Sequence, residues 1–437
     1  MNTFAGELNS ELERLREEGL YRELRRLDSP QSPRVKIDGR DLLNFSSNDY
    51  LGLANHLALK EAAIRAIERY GAGAGASRLV CGSLAVHQEL DETVASFKAT
   101  EAALSFSTGY TAALGTIGAL LGKDDVIIID RLVHASLVDA ARLCGAKLRV
   151  FRHNDLNDLE RILKSTIQSR PSSVQRKQRI LIVTESVFSM DGDHAPLDKL
   201  VKLKEKHGVW LMVDEAHATG LYGANRRGLA EEQGVSAQIE IQMGTLGKAM
   251  GASGGYICGP RLLIDCLINR ARSLLFSTAP VPAAAAAATA GVRLVGSSAG
   301  EEYRQLLWKR VSQLHVLIHN TRTERALEAG KTPITINEKT TAFNEARGES
   351  LVSKEINAKA SSGQCTAIIP LMIGHEKAAL KAASLLRDQG ILIPAIRYPT
   401  VGRGKARLRL TLTAAHTEEE IEQLGVALKS LNFKFQI

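Results

Sequence analysis

Short apolar runs separated by helix-length amphipathic stretches dominate the first two thirds of the chain. Residues 102–106, 126–130, 148–151, 180–184, 209–213, 239–243 and 254–258 are runs in which Val, Ile, Leu, Met and Ala prevail. Near-continuous apolar runs of this length predict strands buried on both faces. Between them, residues 85–98, 111–121, 136–144 and 197–207 carry apolar positions at helical spacing. Strand and helix in alternation predict an α/β fold with a mostly parallel central sheet. Upstream, residues 5–27 read as a charged amphipathic helix, broken by Ser29-Pro30-Gln31-Ser32-Pro33, and residues 60–70 as a second helix running into glycine-rich 71–77.

After Cys258 the texture changes. Residues 262–276 predict a basic helix, and 283–295 an Ala-rich one that continues through 301–329. Residues 332–363 are polar and poor in large apolar side chains, which reads as a surface insertion. Strands return at 367–372 and 407–412, with helices at 376–389 and 417–429. The expected division is an N-terminal helix and extended segment (1–55), a large domain (56–292) and a smaller α+β domain (293–437).

Composition narrows the function classes. The 437 residues are 44% hydrophobic and 24% charged, which excludes a disordered, collagen-like or disulfide-built chain. The net charge of +8 suits an anionic small molecule. With no run of five basic residues and no aromatic-interleaved basic strip, a nucleic-acid partner is disfavoured. The five cysteines (Cys81, Cys144, Cys258, Cys266, Cys365) form no CxxC pair, which fits a reduced, cytoplasmic setting. The N-terminus lacks a secretory pattern, and the longest apolar stretch, 279–292, is too short to span a bilayer.

In parallel sheets, ligands bind beyond the carboxyl ends of the strands. There the predicted strands deliver Ser107-Thr108-Gly109-Tyr110, then Asp130 and His134, then Glu185, Ser186 and Ser189, then Asp214, Glu215 and His217, then Thr245 and Lys248. A hydroxyl-rich turn opening a helix is an anion cradle, though equally an ordinary cap. Lys248, flanked by Gly247 and Gly251, is open to a bulky ligand and can form a Schiff base with an aldehyde cofactor. Asp214 follows a hydrophobic run and needs a cationic partner, either a basic side chain or a protonated pyridine nitrogen. No HExxH, CxxC, calcium-loop or phosphate-loop motif accompanies these residues, so metal and nucleotide-hydrolysis readings are disfavoured.

Taken together, the chain resembles the α-oxoamine synthases, pyridoxal phosphate enzymes of fold type I, from about residue 20 to its end. The resemblance rests on 44–53 (Asn-Phe-Ser-Ser-Asn-Asp-Tyr-Leu-Gly-Leu), the segment from the glycines to Gly82 and His87, and 130–136. It rests also on 184–193, Asp214-Glu215-Ala216-His217, Thr245-Leu246-Gly247-Lys248 and 407–416. It implies pyridoxal 5'-phosphate as cofactor and a decarboxylative condensation of an amino acid with an acyl thioester. Lys248 would hold the cofactor as a Schiff base and move the substrate proton, with Asp214 at the pyridine nitrogen. His217 would sit on the ring-hydroxyl side and His134 would stack on the ring, beside the substrate. Gly109 and Tyr110 would lie along the cofactor, and Ser189 and Thr245 would hydrogen-bond to it. Arg409 would grip the amino-acid carboxylate, with Asn48 near the substrate and Thr400 on the acyl path. Arg25, from its Leu-Arg-Arg context, would be the N-terminal substrate arginine, with Arg26 and Arg22 as alternatives. Within the family the resemblance implies L-alanine and a pimeloyl thioester of coenzyme A or a carrier protein, in biotin synthesis. A glycine-using ligase or another family member is the alternative. Residues 272–279, including Thr278, resemble the segment that reaches the neighbouring cofactor phosphate, which implies a homodimer.

Overall fold

The computed structural model describes residues 3–169, 178–328 and 366–431. The polar stretch 332–363 lies outside the described residues. The described strands are β1 (Arg34–Ile37), β2 (Arg40–Asn44), β3 (Ala102–Phe106), β4 (Val126–Asp130), β5 (Lys147–Phe151), β6 (Ile180–Glu185), β7 (Trp210–Asp214), β8 (Ile241–Thr245), β9 (Gly255–Gly259), β10 (Ile368–Gly374), β11 (Ile391–Leu392), β12 (Ala395–Ile396) and β13 (Ala406–Thr411). The chain forms two compact units, one of Met1–Tyr50, Met190–Gly192 and Gln305–Ile437, the other of Leu51–Ser189 and Asp193–Arg304.

The larger unit is built on a seven-stranded sheet of order β3-β9-β8-β7-β6-β4-β5. β4 to β8 run parallel, and only β9 is reversed. Every residue of β3, β4, β6 and β9 is buried, as their apolar content requires. The parallel arrangement brings Phe106, Asp130, Glu185, Asp214 and Thr245 to one edge as the last residues of β3, β4, β6, β7 and β8. β9 starts at that edge. A Cβ on its first residue, Gly255, would fall 2.5 Å from the Gly109 nitrogen, so the backbones pack too closely for any side chain.

The Ala-rich helix Pro282–Gly296 packs on the helices Leu57–Tyr70 and Ala85–Lys98. Its small residues permit that approach: a Cβ on Gly291 would meet the Met250 carbonyl at 2.1 Å. This packing keeps the helix in the larger unit, which runs to Arg304. The expected continuation into 301–329 is interrupted at Ser297, whose backbone is extended; a separate helix, Ser298–Glu328, follows. The expected helix 262–276 is likewise two, Arg261–Arg270 and Arg272–Leu275, divided at Ala271.

In the smaller unit β13 lies between β10 and β12, antiparallel to both, with all six of its residues buried. A second sheet, β1-β2-β11, frames the N-terminal segment. The helix expected over 5–27 spans only Phe4–Glu17. Gly19 takes a φ of 68° and Leu20 N–H returns to the Leu15 carbonyl, a C-terminal turn after which residues 20–26 have no regular secondary structure. Among the described residues no helix is long and apolar enough to cross a membrane.

Candidate functional site

In the larger unit the carboxyl edge gathers five ionisable side chains. Lys248 Nζ lies 2.8 Å from His217 Nε2. Asp214, 5% exposed, accepts from Ala216 N–H at 2.9 Å. Its neighbour across the strand register is Glu185, 2% exposed, which accepts from Ser189 N–H at 3.2 Å through Oε2 while Oε1 has no hydrogen-bond partner. Burial raises the Asp214 carboxyl above its ordinary range, and Lys248 only partly offsets this. Burial and then the Asp214 charge push Glu185 up to about 8. His134 caps the helix Ala135–Leu143, with Nδ1 2.8 Å from Ser136 Oγ, and its burial lowers its pKa, favouring the neutral ring.

The turn after β3 points backbone donors of a helix start at the sheet edge. Thr108 caps the helix Gly109–Leu120 by accepting from Thr111 N–H at 3.1 Å. The N–H groups of Gly109 and Tyr110 make no hydrogen bond to a described residue, as the first groups of a helix cannot within it. Thr278 bridges to Ser77 and lines a small cavity together with Ser107 at this turn. Tyr110 OH donates to Asp139 at 2.8 Å, and Thr245 Oγ1 donates to the Gly254 carbonyl at 3.0 Å while accepting from Gly247 N–H.

These residues fit pyridoxal phosphate. The helix start offers unpaired donors to a phosphate, Lys248 offers an amine, and two buried carboxyls with one nearby lysine are short of positive charge, which a pyridinium supplies. Among the described residues no cluster could hold a metal ion.

In the smaller unit Arg409, 4% exposed on β13, donates through Nη1 to Asn48 Oδ1 at 2.9 Å and Thr411 Oγ1 at 3.0 Å, and through Nη2 to Tyr50 OH at 3.4 Å. The structure thus brings Asn48 and Arg409 together. Thr400 N–H donates to the Arg397 carbonyl, and Arg25 lies within electrostatic reach of Arg397.

Sequence reasoning did not single out three participants. Glu185 was legible only as a polar strand end. Tyr50 sits inside the motif that supplied Asn48. His153 holds Asp130 at 3.0 Å and Asp193 at 2.6 Å through its two ring nitrogens, closing the loop that carries Ser189. Burial pulls its pKa down, but the two carboxylates override this and raise it to about 10.

Comparison with known proteins shows the family. The family model for aminotransferase class I and II matches residues 40–428. The 8-amino-7-oxononanoate synthase of Geobacter sulfurreducens is 43% identical over 418 residues, covering 96% of each chain. That of Geotalea daltonii is 43% identical over 437 residues, covering 100% of this chain and 99% of its own. The solved serine palmitoyltransferase of S. paucimobilis with bound PLP–myriocin superposes with a TM-score of 0.80 at 27% identity, covering 97% of this chain and 96% of its own. The chain therefore belongs to the aminotransferase class I and II family, among its pyridoxal phosphate-dependent, fold type I α-oxoamine synthases.

Proposed function

We propose that the protein condenses L-alanine with a pimeloyl thioester, releasing carbon dioxide and the thiol and forming 8-amino-7-oxononanoate, the product for which its curated relatives are named. The observation that carries the chemistry is the Lys248–His217 contact of 2.8 Å beside the buried Asp214 and Glu185. The choice of substrates rests on the relatives.

When bound, pyridoxal phosphate supplies the electron sink for charge developing at the substrate Cα. Its phosphate would be held by the Gly109 and Tyr110 N–H groups, with the Thr245 hydroxyl as a further donor and Thr278 reaching the phosphate of the neighbouring subunit's cofactor. Lys248 Nζ would hold the cofactor and, when free, would take the Cα proton of alanine. Its contact with His217 keeps the amine on station. Asp214, buried beside Lys248, would keep a proton on the pyridine nitrogen. Glu185, pushed up to about 8, retains its own proton at neutral pH, so that one carboxylate rather than two would stand beside the pyridinium. His134, whose burial favours the neutral ring, would stack over the cofactor ring beside the substrate. Arg409 binds the alanine carboxylate with its planar fork, oriented by Asn48 and Tyr50. Arg25 and Thr400 face the acyl donor.

The reading places the enzyme in the cytoplasm, supported by free thiols at Cys81, Cys144, Cys258 and Cys266. It also makes it a homodimer. The Ser77–Thr278 bridge brings together exposed Leu79, Val80, Phe276 and Val281, an apolar patch of the kind that subunits cover.

The test is thiol release from pimeloyl-coenzyme A with L-alanine, glycine and L-serine compared. Release with alanine is expected. Release with glycine or serine alone would overturn the alanine assignment and make this a sister activity, and no release from any of them would overturn the donor.

A further inference from the structure

The motif 407–416 ends in His416, a titratable side chain that the proposed chemistry leaves unused. It is 1% exposed and lies flat on Phe45, with ring centroids 4.5 Å apart and planes 4° from parallel. Its hydrogen bonds fix its state. Nδ1 stands 3.0 Å from both the N–H and the hydroxyl of Thr413, and the backbone N–H donates to it, so that nitrogen carries no proton. Nε2 stands 3.2 Å from the Asn44 carbonyl, which only accepts, so the proton is on Nε2. Burial outweighs Glu420 and the carbonyls of Thr413 and Asn44, pushes the pKa down to about 4 and keeps the ring neutral.

The Asn44 carbonyl is the first of three that tie residues 44–50 to β13 and the turn that follows it. The Phe45 carbonyl accepts from Thr411 N–H at 3.0 Å, and the Tyr50 carbonyl from Ala414 N–H at 2.8 Å. Asn48 lies between the last two ties. Asn48 and Tyr50 both end on the Arg409 guanidinium, which also donates to Thr411 Oγ1 on the same face of β13. A buried histidine stacked on a phenylalanine is ordinarily core packing, but packing alone needs no hydrogen bond at either ring nitrogen. Here one neutral ring joins the turn after β13 to the start of the strap whose side chains orient the arginine. We propose that His416 is a positioning residue for amino-acid recognition. Its Nε2–H bond to the Asn44 carbonyl sets the register in which residues 44–50 present Asn48 and Tyr50 to Arg409, and so the orientation in which Arg409 meets the substrate carboxylate. The proposal rests on the reading of Arg409 as the partner of that carboxylate. His416 touches no substrate in it. Loosening the tie lets the guanidinium fork turn, which weakens paired contact with a carboxylate and leaves the amine end of the substrate unaffected.

The experiment titrates the holoenzyme with L-alanine and with L-alaninamide, in the absence of acyl donor, and follows the absorbance of the bound cofactor. His416→Asn keeps an acceptor for Thr413 N–H but falls short of Asn44, whereas His416→Gln keeps a donor with that reach. His416→Asn is expected to weaken L-alanine binding about tenfold and L-alaninamide binding less than about twofold, because the amide has no carboxylate for Arg409 to pair with. His416→Gln is expected to bring L-alanine binding back to within about threefold of wild type. If His416→Asn does not fold, His416→Phe, which keeps the stacked shape and drops both ring hydrogen bonds, carries the same expectation. Equal weakening of acid and amide, or no recovery in His416→Gln, would overturn the proposal and leave His416 a packing residue. Nitrogen NMR of histidine-labelled apoprotein is expected to show His416 bare at Nδ1 and protonated at Nε2, and the opposite tautomer would overturn it as well. A wild type that binds glycine or L-serine but not L-alanine fails the alanine reading alone, and the same comparison is then made with that amino acid and its amide. A wild type that binds none of the three ends the carboxylate role of Arg409, and this proposal with it.

Discussion

Asp214 and Glu215 are consecutive, both buried, and opposite in kind. Glu215 is fully closed off: its Oε2 meets Lys98 Nζ at 2.6 Å, its Oε1 accepts from Ala230 N–H at 2.9 Å, and Lys98 also donates to the Arg227 carbonyl. Gly228 is glycine because a Cβ there would strike the Glu215 carboxylate at 2.5 Å. Asp214, one residue earlier, sits beside Glu185 with Lys248 as the nearby cation, and both carboxyls are pushed upward. The chain thus completes the charge balance on one side of the β7 end and leaves it incomplete on the other. The first arrangement holds the loop 215–230 to the helix Ala85–Lys98; the second leaves room for a cationic ligand.

Removing Lys248 breaks the open side most severely. Lys248→Ala is expected to lower kcat at least about 10³-fold, since it removes both the cofactor anchor and the base, with little change in thermal stability. An activity within tenfold of wild type would end the assignment.

The neighbouring substitutions Asp214→Asn and Glu215→Gln sharpen the contrast. Asp214→Asn is expected to lower kcat by about 10²-fold or more. Its effect on the apoprotein follows from sign. A carboxyl raised above its unfolded value costs stability as pH rises through that value, so at pH 7 the asparagine variant matches or exceeds wild type. Glu215→Gln is expected to do the reverse, destabilising the fold while holoenzyme that remains folded keeps most of its rate. If both variants lost activity and stability alike, the division between the two sides would be wrong.

Lys98→Met isolates the closed side. Breaking a buried pair from one end costs about 3–5 kcal/mol, measurable by denaturant unfolding. The double variant Lys98→Met/Glu215→Leu should recover a large part of that loss, because it removes the stranded carboxylate as well.

Much of the open side was legible in the chain. β6, β7 and β8 could be placed by their apolar runs, and the polar residues following them fall on one edge because parallel strands end together. The closed side was not legible: Lys98 and Glu215 are 117 residues apart, and adjacent carboxylates differ only in which face the pleat gives them. The N-terminal helix was overextended because the charge pattern continues past Glu17, whereas the backbone is decided by Gly19 and by the Arg397 side chain that ties residues 19–21 down. Long-range partners of this kind leave no periodic trace.

The smallest expected effect concerns the His153 clamp, which supports the open side without touching it. In the folded protein His153 is raised to about 10 by Asp130 and Asp193, against about 6.5 when unfolded. A raised histidine contributes stability that is complete below the unfolded value and is lost as pH climbs through the folded one. His153→Gln keeps the hydrogen-bonding reach but not the charge, and is expected to cost about 1–3 kcal/mol near pH 6. Unfolding curves of the two proteins should converge as pH approaches 10. A gap between them that stayed constant across that range would mean the imidazole acts by shape alone, its edge against the Phe188 ring at 4.4 Å, and that the loop carrying Ser189 is held by packing rather than charge.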